Sequence, residues 1–401
     1  MKVLMLGWEL PPYNSGGLGA ATYQLCRSLA KDDVDIDFIL PYEAEHNIDF
    51  MNIEAAKPKG IISVERLGIA YDSYKYIMED NTENVFDIYT QVKLYEDAAY
   101  KLALNKTFDI VHAHDWLTFR AALRIKETKK CPIILHFHSV ETDRAGGKRG
   151  NPLIHEVEEL ALNLADRVIA VSQFTKDAII RDYQIDPDKI EVVHNSINAY
   201  ELLPLDEQNV YKYLTHMKSK GYKVVTNIGR LTIQKGISNL LRAFKKVLEF
   251  NPKTLLLIVG SGDQMHELVE LSADLGIAKN VIFTDFQRGK NWRDAYSIGD
   301  IFVMPSVSEP FGLTPLESIS YGTPVLISKQ SGVSEILKNA LVCDFWDIDE
   351  MVNKIVNVLS SDQLRDELSK NSLNEVLSLS WDNASKKVMK IYNNQFETVA
   401  A

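Results

Sequence analysis

The sequence predicts an α/β protein made of two doubly wound domains, each a parallel sheet with helices on its faces, and three observations lead there. With 401 residues the chain exceeds what one hydrophobic core ordinarily organises, so two domains are expected. Short apolar runs alternate with amphipathic segments from end to end, the pattern of parallel strands joined by helical crossovers. The alternation is interrupted at residues 196–222 (SINAYELLPLDEQNVYKYLTHMKSKGY), a polar stretch with one proline and a short helical segment. The expected division is therefore a first domain over 1–200, a link over 201–222, a second domain over 223–380, and a last helix over 381–401.

In the first half the apolar runs Val3–Leu6, Ile36–Leu40, Asp109–Ala113, Pro132–Phe137, Arg167–Val171 and Ile190–His194 read as strands. Between them Ala20–Lys31, Glu83–Asn105, Pro152–Ala165 and Phe174–Tyr183 read as helices, while residues 41–82 have no clean period and read as loop and irregular strand. In the second half the strands are Lys223–Ile228, Thr254–Val259, Val281–Thr284, Ile301–Met304 and Pro324–Ile327. The helices there are Ile237–Phe250, Gln264–Leu275, Trp292–Ile298, Pro315–Tyr321 and Ile348–Leu359. Trp381, Ala384, Val388, Ile391 and Tyr392 recur at helical spacing, so the last helix buries one stripe and is read as packing back on the first domain. Two such domains facing a central cleft would bring strand ends and helix starts around one ligand.

Composition narrows the function. Hydrophobic content of 46% with 25% charged residues describes a soluble globular chain, and a net charge of -11 argues against nucleic acid as a partner. Cys26, Cys131 and Cys343 are scattered and odd in number, which gives no disulfide framework or thiolate zinc site and suits a reducing cytosol. The opening MKVLMLGWELPPYNSGG has too short an apolar run for a signal segment, and no run approaches the roughly 18 residues of a membrane span. A cytoplasmic location is expected.

The most informative stretch is residues 306–325, SVSEPFGLTPLESISYGTPV. Thr314 suits an N-cap, Pro315 a first helical position and Glu317 the third, so the segment reads as a capping box opening a helix. A helix start favours a phosphate, Gly312 allows close approach to the backbone, and Glu309 upstream can accept hydrogen bonds from sugar hydroxyls. Glu317 is open to two readings, closing the capping box or binding a ligand.

Upstream, Asn227-Ile-Gly-Arg-Leu-Thr-Ile-Gln-Lys-Gly236 ends a strand and puts Arg230 and Lys235 in one loop. A planar guanidinium fork and a mobile ammonium both suit a diphosphate. After the first strand, Leu10-Pro-Pro-Tyr-Asn-Ser-Gly-Gly-Leu-Gly19 opens into a helix, so Gly16 and Gly17 could let backbone N–H groups approach a phosphate. The order is not G-x-G-x-x-G, and a glycine turn serving helix packing is the other reading. His112, His114 and Asp115 end one strand and His136 and His138 another. Alternate residues share a face, so a metal site is conceivable, but no metal is expected because Arg230, Lys235 and Glu309 already supply the charge for a diphosphate. His138, followed by Ser139, is the better placed to touch a reacting sugar, and Asp115 with Trp116 pairs a carboxylate with an aromatic face, as suits carbohydrate.

Taken together, GGLG near the start, HAHDW at 112, His138, GRLTIQKG at 229, VGSGD at 259 and EPFGLTPLE resemble the retaining GT-B glycosyltransferases of family 4. Through WELPPYNSGGLG, HAHDWLT and the run from HFHSVE to Arg144, the chain looks most like the glycogen or starch synthase-like members. The resemblance implies transfer of glucose from a nucleoside-diphosphate donor such as UDP-glucose or ADP-glucose to an α-glucan, without metal or other cofactor. It implies that Arg230 and Lys235 stabilise the departing diphosphate, that Gly16 and Gly17 approach its phosphates, and that Glu309 holds donor hydroxyls. Phe311, Gly312, Leu313 and Thr314 would cradle sugar and phosphate, Glu317 would bind the ribose, His138 would meet the donor sugar, and Asp115 would orient acceptor groups. Asp285 and Ser331 depart from glycines common in the family.

Three other readings remain. A glycolipid or surface-polysaccharide transferase would use a basic patch of Arg120, Arg124, Lys126, Lys129, Lys130, Arg144, Lys148 and Arg149 at a membrane. A sugar-nucleotide epimerase would share the fold without the paired glutamates and GRLTIQKG loop. A silent nucleotide-sugar binder would lack a charged position that is present here.

Overall fold

The computed structural model describes residues 1–14, 16–66, 74–206 and 208–400, with side chains described as far as Gln395. Ser15 of the glycine turn, residues 67–73 of the aperiodic stretch, Glu207 of the expected link and Ala401 lie outside the described residues. In chain order the elements are β1 (Lys2–Leu6), α1 (Gly17–Lys31), β2 (Asp35–Leu40), β3 (Asn52–Ala55), β4 (Ile61–Arg66), β5 (Tyr74–Met78), β6 (Glu83–Asn84) and α2 (Ile88–Leu104). There follow β7 (Ile110–His114), α3 (Trp116–Lys129), β8 (Ile133–Phe137), α4 (Glu141–Arg144), α5 (Pro152–Leu164), β9 (Arg167–Ala170), α6 (Gln173–Tyr183) and β10 (Ile190–Val192). The second half holds α7 (Lys212–Ser219), β11 (Lys223–Ile228), α8 (Ile237–Phe250), β12 (Thr254–Val259), α9 (Met265–Asp274), β13 (Val281–Thr284) and α10 (Gly289–Ser297). It continues with β14 (Ile301–Met304), α11 (Thr314–Ser320), β15 (Val325–Ser328), β16 (Leu341–Cys343), α12 (Ile348–Ser360), α13 (Asp362–Leu377) and α14 (Trp381–Ala400).

The chain forms two compact units, Met1–Glu141 with Gly150–Asn195 and Trp381–Ala401, and Thr142–Arg149 with Ser196–Ser380. The expected link at 201–222 is therefore part of the second unit. Asn209 Nδ2 donates to the Asp294 carbonyl at 2.9 Å, Val210 N donates to Asp294 Oδ2 at 2.8 Å, and Leu214 of α7 is buried.

The first unit has a parallel seven-stranded sheet in the order β10-β9-β8-β7-β1-β2-β3. Strand order runs outward in both directions from β1 and β7, so the switch point lies between them, where ligands bind in doubly wound sheets. Strands Val3–Leu6 and Ile133–Phe137 are wholly buried, as expected of strands covered on both faces. α14 lies in this unit, against α1, with Val388 and Tyr392 buried. Residues read as irregular contain a second, antiparallel sheet, β4-β5-β6. Its register shifts between Ile61 and Ser63, an irregularity that breaks the period-2 signal. The helix read from Glu83 starts at Ile88, because Glu83–Asn84 pair as β6 and the Asp87 side chain caps Tyr89 N and Thr90 N.

The second unit has a parallel six-stranded sheet in the order β13-β12-β11-β14-β15-β16, with its switch point between β11 and β14. Ile237, Leu240, Leu241, Phe244 and Val247 of α8 are buried together with Met351, Val352, Ile355 and Val358 of α12 and with sheet residues Val225, Leu256, Ile258 and Val303. Full burial of one such side chain contributes about 1.5–3 kcal/mol. α13 carries almost no apolar stripe, since only Ser372 and Val376 are fully buried, and the polar pattern hid it in the sequence.

Candidate functional site

The loops after β11 and β14 are neighbours at the second unit's switch point, and they carry Arg230, Lys235 and Glu309. Val307 N donates to the Gln234 carbonyl at 2.8 Å, stitching one loop to the other. Gly236 has φ +63°, and a Cβ there would fall 2.2 Å from the Pro305 carbonyl oxygen, so only glycine closes this seam. The loop after β12 clamps the same segment from the other side. Leu231 N donates to the Ser261 carbonyl at 2.9 Å, and a Cβ at Gly260 would lie 1.9 Å from the Gly229 oxygen. The glycines of VGSGD thus hold the cationic loop in place.

Lys235 Nζ is paired with Glu309 Oε2, and Ser306 Oγ donates to the same oxygen at 3.0 Å. Glu309 is fixed by its backbone as well, its N–H donating to the Gln330 carbonyl at 2.8 Å and its carbonyl accepting from Gly332 N at 2.9 Å. Ser331, which departs from a family glycine, fits because its backbone is extended at φ -138° and its hydroxyl donates to the Ser328 carbonyl at 2.6 Å. Asp285, the other departure, is exposed at the end of β13. Arg230 is exposed and has no partner among the described residues. Phe311 is buried and its carbonyl accepts from Val333 N at 2.8 Å, whereas the N–H groups of Gly312 and Leu313 have no partner among the described residues. Gly312, at φ +100°, turns the chain here.

The capping box is not formed. Leu313 is the N-cap of α11, no side chain caps the helix, and the Thr314 hydroxyl faces Met304 Sδ at 3.9 Å. Glu317 instead accepts a 2.6 Å hydrogen bond from Tyr296 OH on α10. Burial of its carboxyl pushes the pKa up to about 7, and the Tyr296 bond works against that rise. The sequence pattern located the helix start but not the direction of the side chain.

In the first unit, Gly16 is the N-cap of α1 and Gly17 its exposed first residue. A Cβ at Gly16 would meet nothing within 4 Å, so open space surrounds it. Packing requires Gly19 instead, where a Cβ would lie 2.7 Å from Asn14 Cβ. Asp115 is buried at φ +58°, and its Oδ1 accepts from His138 N at 2.7 Å and Ser139 N at 3.3 Å. It therefore braces the turn after β8. A residue at such a backbone angle costs about 1–3 kcal/mol and persists only where its surroundings fix it. His138 is half-buried and neutral, burial pushing its pKa down to about 3.

His112, His114, His136 and His138 form a stacked ladder. Nitrogens of the first three lie within 4.8 Å of one another, yet His112 is near-parallel to His114 (4.5 Å between centroids, 14°) and to His136 (5.3 Å, 15°). His112 Nε2 and His136 Nδ1 lie 3.2 Å apart and share a hydrogen. The rings are hydrogen-bonding and stacking groups. Of the basic residues considered for a membrane patch, Arg120 pairs with Glu96, Arg124 with Asp97 and Lys126 with Asp166, while Lys129 Nζ donates to the carbonyls of Leu104 and Lys106. No helix among the described residues is long and apolar enough to cross a membrane.

Several site residues escaped the sequence reading. Tyr296 and Met5 carry no motif, and their contacts with Glu317 and His114 come from the tertiary fold alone; Ser306 opens the stretch 306–325, but nothing there marks its bond to Glu309. Glu9 sat in plain view in WELPPY, and it is buried, accepts from Gly19 N at 3.3 Å and lies 3.6 Å from Arg66.

Residues 15–200 match the family model described as Glycosyltransferase Family 4, and residues 215–375 match the model described as Glycosyl transferases group 1. An uncharacterised glycosyltransferase of Methanocaldococcus jannaschii is 31% identical over 99% of this chain and 99% of its own length. A D-inositol 3-phosphate glycosyltransferase of Corynebacterium diphtheriae is 21% identical over 98% of this chain and 95% of its own. A glycogen synthase of Mycobacterium tuberculosis is 24% identical over 84% and 80%. Among solved structures, sucrose-phosphate synthase from Thermosynechococcus elongatus superposes with a TM-score of 0.75 at 18% identity, covering 99% of this chain and 100% of that one. That likeness, with the two parallel-sheet units, gives the fold as GT-B.

Proposed function

Since the chain belongs to the group 1 glycosyltransferases, we propose that it moves a hexose, glucose first among them, from a nucleoside-diphosphate sugar to a carbohydrate acceptor with retention of configuration. The observation that carries this reading is the convergence of Arg230, Lys235 and Glu309 on adjoining loops at the β11/β14 switch point. A diphosphate leaving group needs its developing negative charge balanced. Arg230 offers a guanidinium with no other partner among the described residues, Lys235 an ammonium, and the Gly312 and Leu313 amides two further donors. Glu309 accepts from donor-sugar hydroxyls and Glu317 from the ribose.

Retention follows if the acceptor hydroxyl attacks the anomeric carbon from the face the diphosphate leaves. The carbon–oxygen bond to phosphate breaks as the new glycosidic bond forms, and the departing phosphate oxygen takes the acceptor's proton. No metal is required in this scheme, because the two cations and the amides carry the charge. In the first unit His138 meets the donor sugar, and Gly16 and Gly17 leave room for its phosphates. Asp115, read earlier as orienting the acceptor, acts through the turn it braces.

An α-glucan is the acceptor this reading favours, in line with the glycogen synthase relative. A second reading, a small phosphorylated polyol as acceptor, is favoured by the near full-length match to the inositol phosphate enzyme. The membrane reading loses support from the ion pairs that occupy Arg120, Arg124 and Lys126.

The test is to incubate the protein with UDP-, ADP- or GDP-glucose and either maltooligosaccharides or inositol phosphate, measuring released diphosphate and the product's anomeric proton. The α-linked product supports the reading. Release without a glycoside, an epimer formed without acceptor, or a β-linked product would contradict it.

A further inference from the structure

The histidine ladder has a polarity that can be read from its far end. Met5 Sδ lies 3.1 Å from His114 Nε2. A thioether sulfur carries no hydrogen, so the proton of this contact sits on His114 Nε2. His114 is buried and stacked on His112 and His136, and desolvation keeps it neutral. Its Nδ1 is then a bare lone pair, 2.9 Å from His138 Nε2. Two lone pairs do not face each other at that distance, so His138 Nε2 carries a hydrogen and donates it.

Resting on the reading of His138 as a sugar contact, we infer that Met5 and His114 are positioning residues that lock His138 in the Nε2–H tautomer, so that it meets its ligand with a bare Nδ1. No described residue bonds that nitrogen. A bare ring nitrogen accepts a hydrogen bond from a hydroxyl and repels a phosphate or ether oxygen. The group facing His138 is therefore a sugar hydroxyl, and His138 serves neither as a proton donor nor as a cation for the diphosphate.

The rest of the surroundings hold the same state. His138 stacks on His136 at 4.4 Å and 14°, and its backbone N–H is held by the Asp115 carboxylate. His112 lies beyond, bonded to Tyr392 OH at 2.6 Å and to His136 Nδ1 at 3.2 Å. A second imidazolium in this stack would be repelled by the first, and Asp115 is the one carboxylate bonded to the ladder among the described residues.

The experiment uses the full chain labelled with 15N-histidine, and long-range nitrogen–proton spectra, with His138 assigned by its loss in His138→Gln. The wild type should show His138 protonated at Nε2 only, from about pH 6 to pH 8. Met5→Leu keeps the bulk and removes the acceptor, so both tautomers should appear while burial keeps the ring neutral. With the donor and acceptor that support turnover, kcat/KM of Met5→Leu should fall roughly twofold at pH 7, because about half of the His138 population then lacks a bare Nδ1. A wild-type His138 protonated at Nδ1, or on both nitrogens, overturns the inference, as does an unchanged tautomer in Met5→Leu. The wild-type spectrum alone decides the matter if the variant does not fold. It needs no turnover, so an inactive protein with the Nε2–H signature refutes the proposed reaction and leaves the tautomer standing.

Discussion

Lys235 and Glu309, 74 positions apart in the chain, form an ion pair beside Ser306 on the loops that follow β11 and β14. The pair matters because each member is also read as a ligand contact, the lysine for the diphosphate and the carboxylate for the sugar. Each holds the other in position, which lowers the cost of organising the site for a donor.

Removing either member should stop transfer without unfolding the protein. Lys235→Ala and Glu309→Ala should each lower kcat by roughly 100- to 1000-fold, the scale of about 3 kcal/mol seen when one donor to a developing charge is lost. The double variant should lose little more than the worse single one, since the two act together. Steady-state kinetics and circular dichroism on the three variants check this, and wild-type-like turnover in either single variant would remove the mechanism.

Glu317 should make stability depend on pH. Its folded pKa, about 7, lies above its ordinary value of 4.5, so between those values the folded state binds more protons than the unfolded one. Stability from this group is present below about 4.5 and falls as pH rises through about 7. Glu317→Gln should therefore gain apparent Tm relative to wild type on going from pH 5 to pH 8, by about 2 °C or more. Tyr296→Phe removes the hydrogen bond that favours the carboxylate and should move the transition to higher pH. Thermal melts across this range decide it, and parallel curves for wild type and Glu317→Gln would count against the burial of a titrating carboxyl.

Gly236→Ala should destabilise the protein by about 1–3 kcal/mol, because φ is +63° and the new Cβ would collide with the Pro305 carbonyl. Gly16→Ala meets nothing in the structure and should leave unfolding unchanged. If that variant nevertheless weakens donor binding, the open space at Gly16 is occupied by ligand. Urea titrations of both variants, with donor affinity measured alongside, separate the two roles.

Asp115→Asn keeps a carbonyl oxygen where Oδ1 accepts the His138 and Ser139 amides, and Asp115→Ala does not. The alanine variant should lose about 1–3 kcal/mol of stability and the asparagine variant less. Equal behaviour of the two in unfolding experiments would show that the bracing hydrogen bonds are not what Asp115 supplies.

How far the sequence could be read depended on the range of the interactions. Strands such as Lys223–Ile228 and Thr254–Val259 and the helix Ile237–Phe250 follow from local apolar periodicity and have the bounds expected from it. The β4–β6 sheet was hidden by a register shift at Ile61, and α13 by a face that buries little apart from Ser372 and Val376. For the candidate site, the motifs named the loops but not the directions of side chains. Thr314 and Glu317 satisfy a capping pattern that Tyr296, distant in sequence, overrides. Asp115 reads as a ligand group in HAHDW, and the structure adds that its Oδ1 holds the next strand's turn, a contact that only sheet order creates.

The most direct test of the central claim is equilibrium binding of UDP, ADP and GDP to the wild type, Arg230→Ala and Lys235→Ala by calorimetry. At least one diphosphate should bind, and each substitution should weaken it by about tenfold or more, one charge-assisted hydrogen bond being worth about 1.5–3 kcal/mol. Diphosphate affinity unchanged in both variants would place the donor elsewhere and contradict the account.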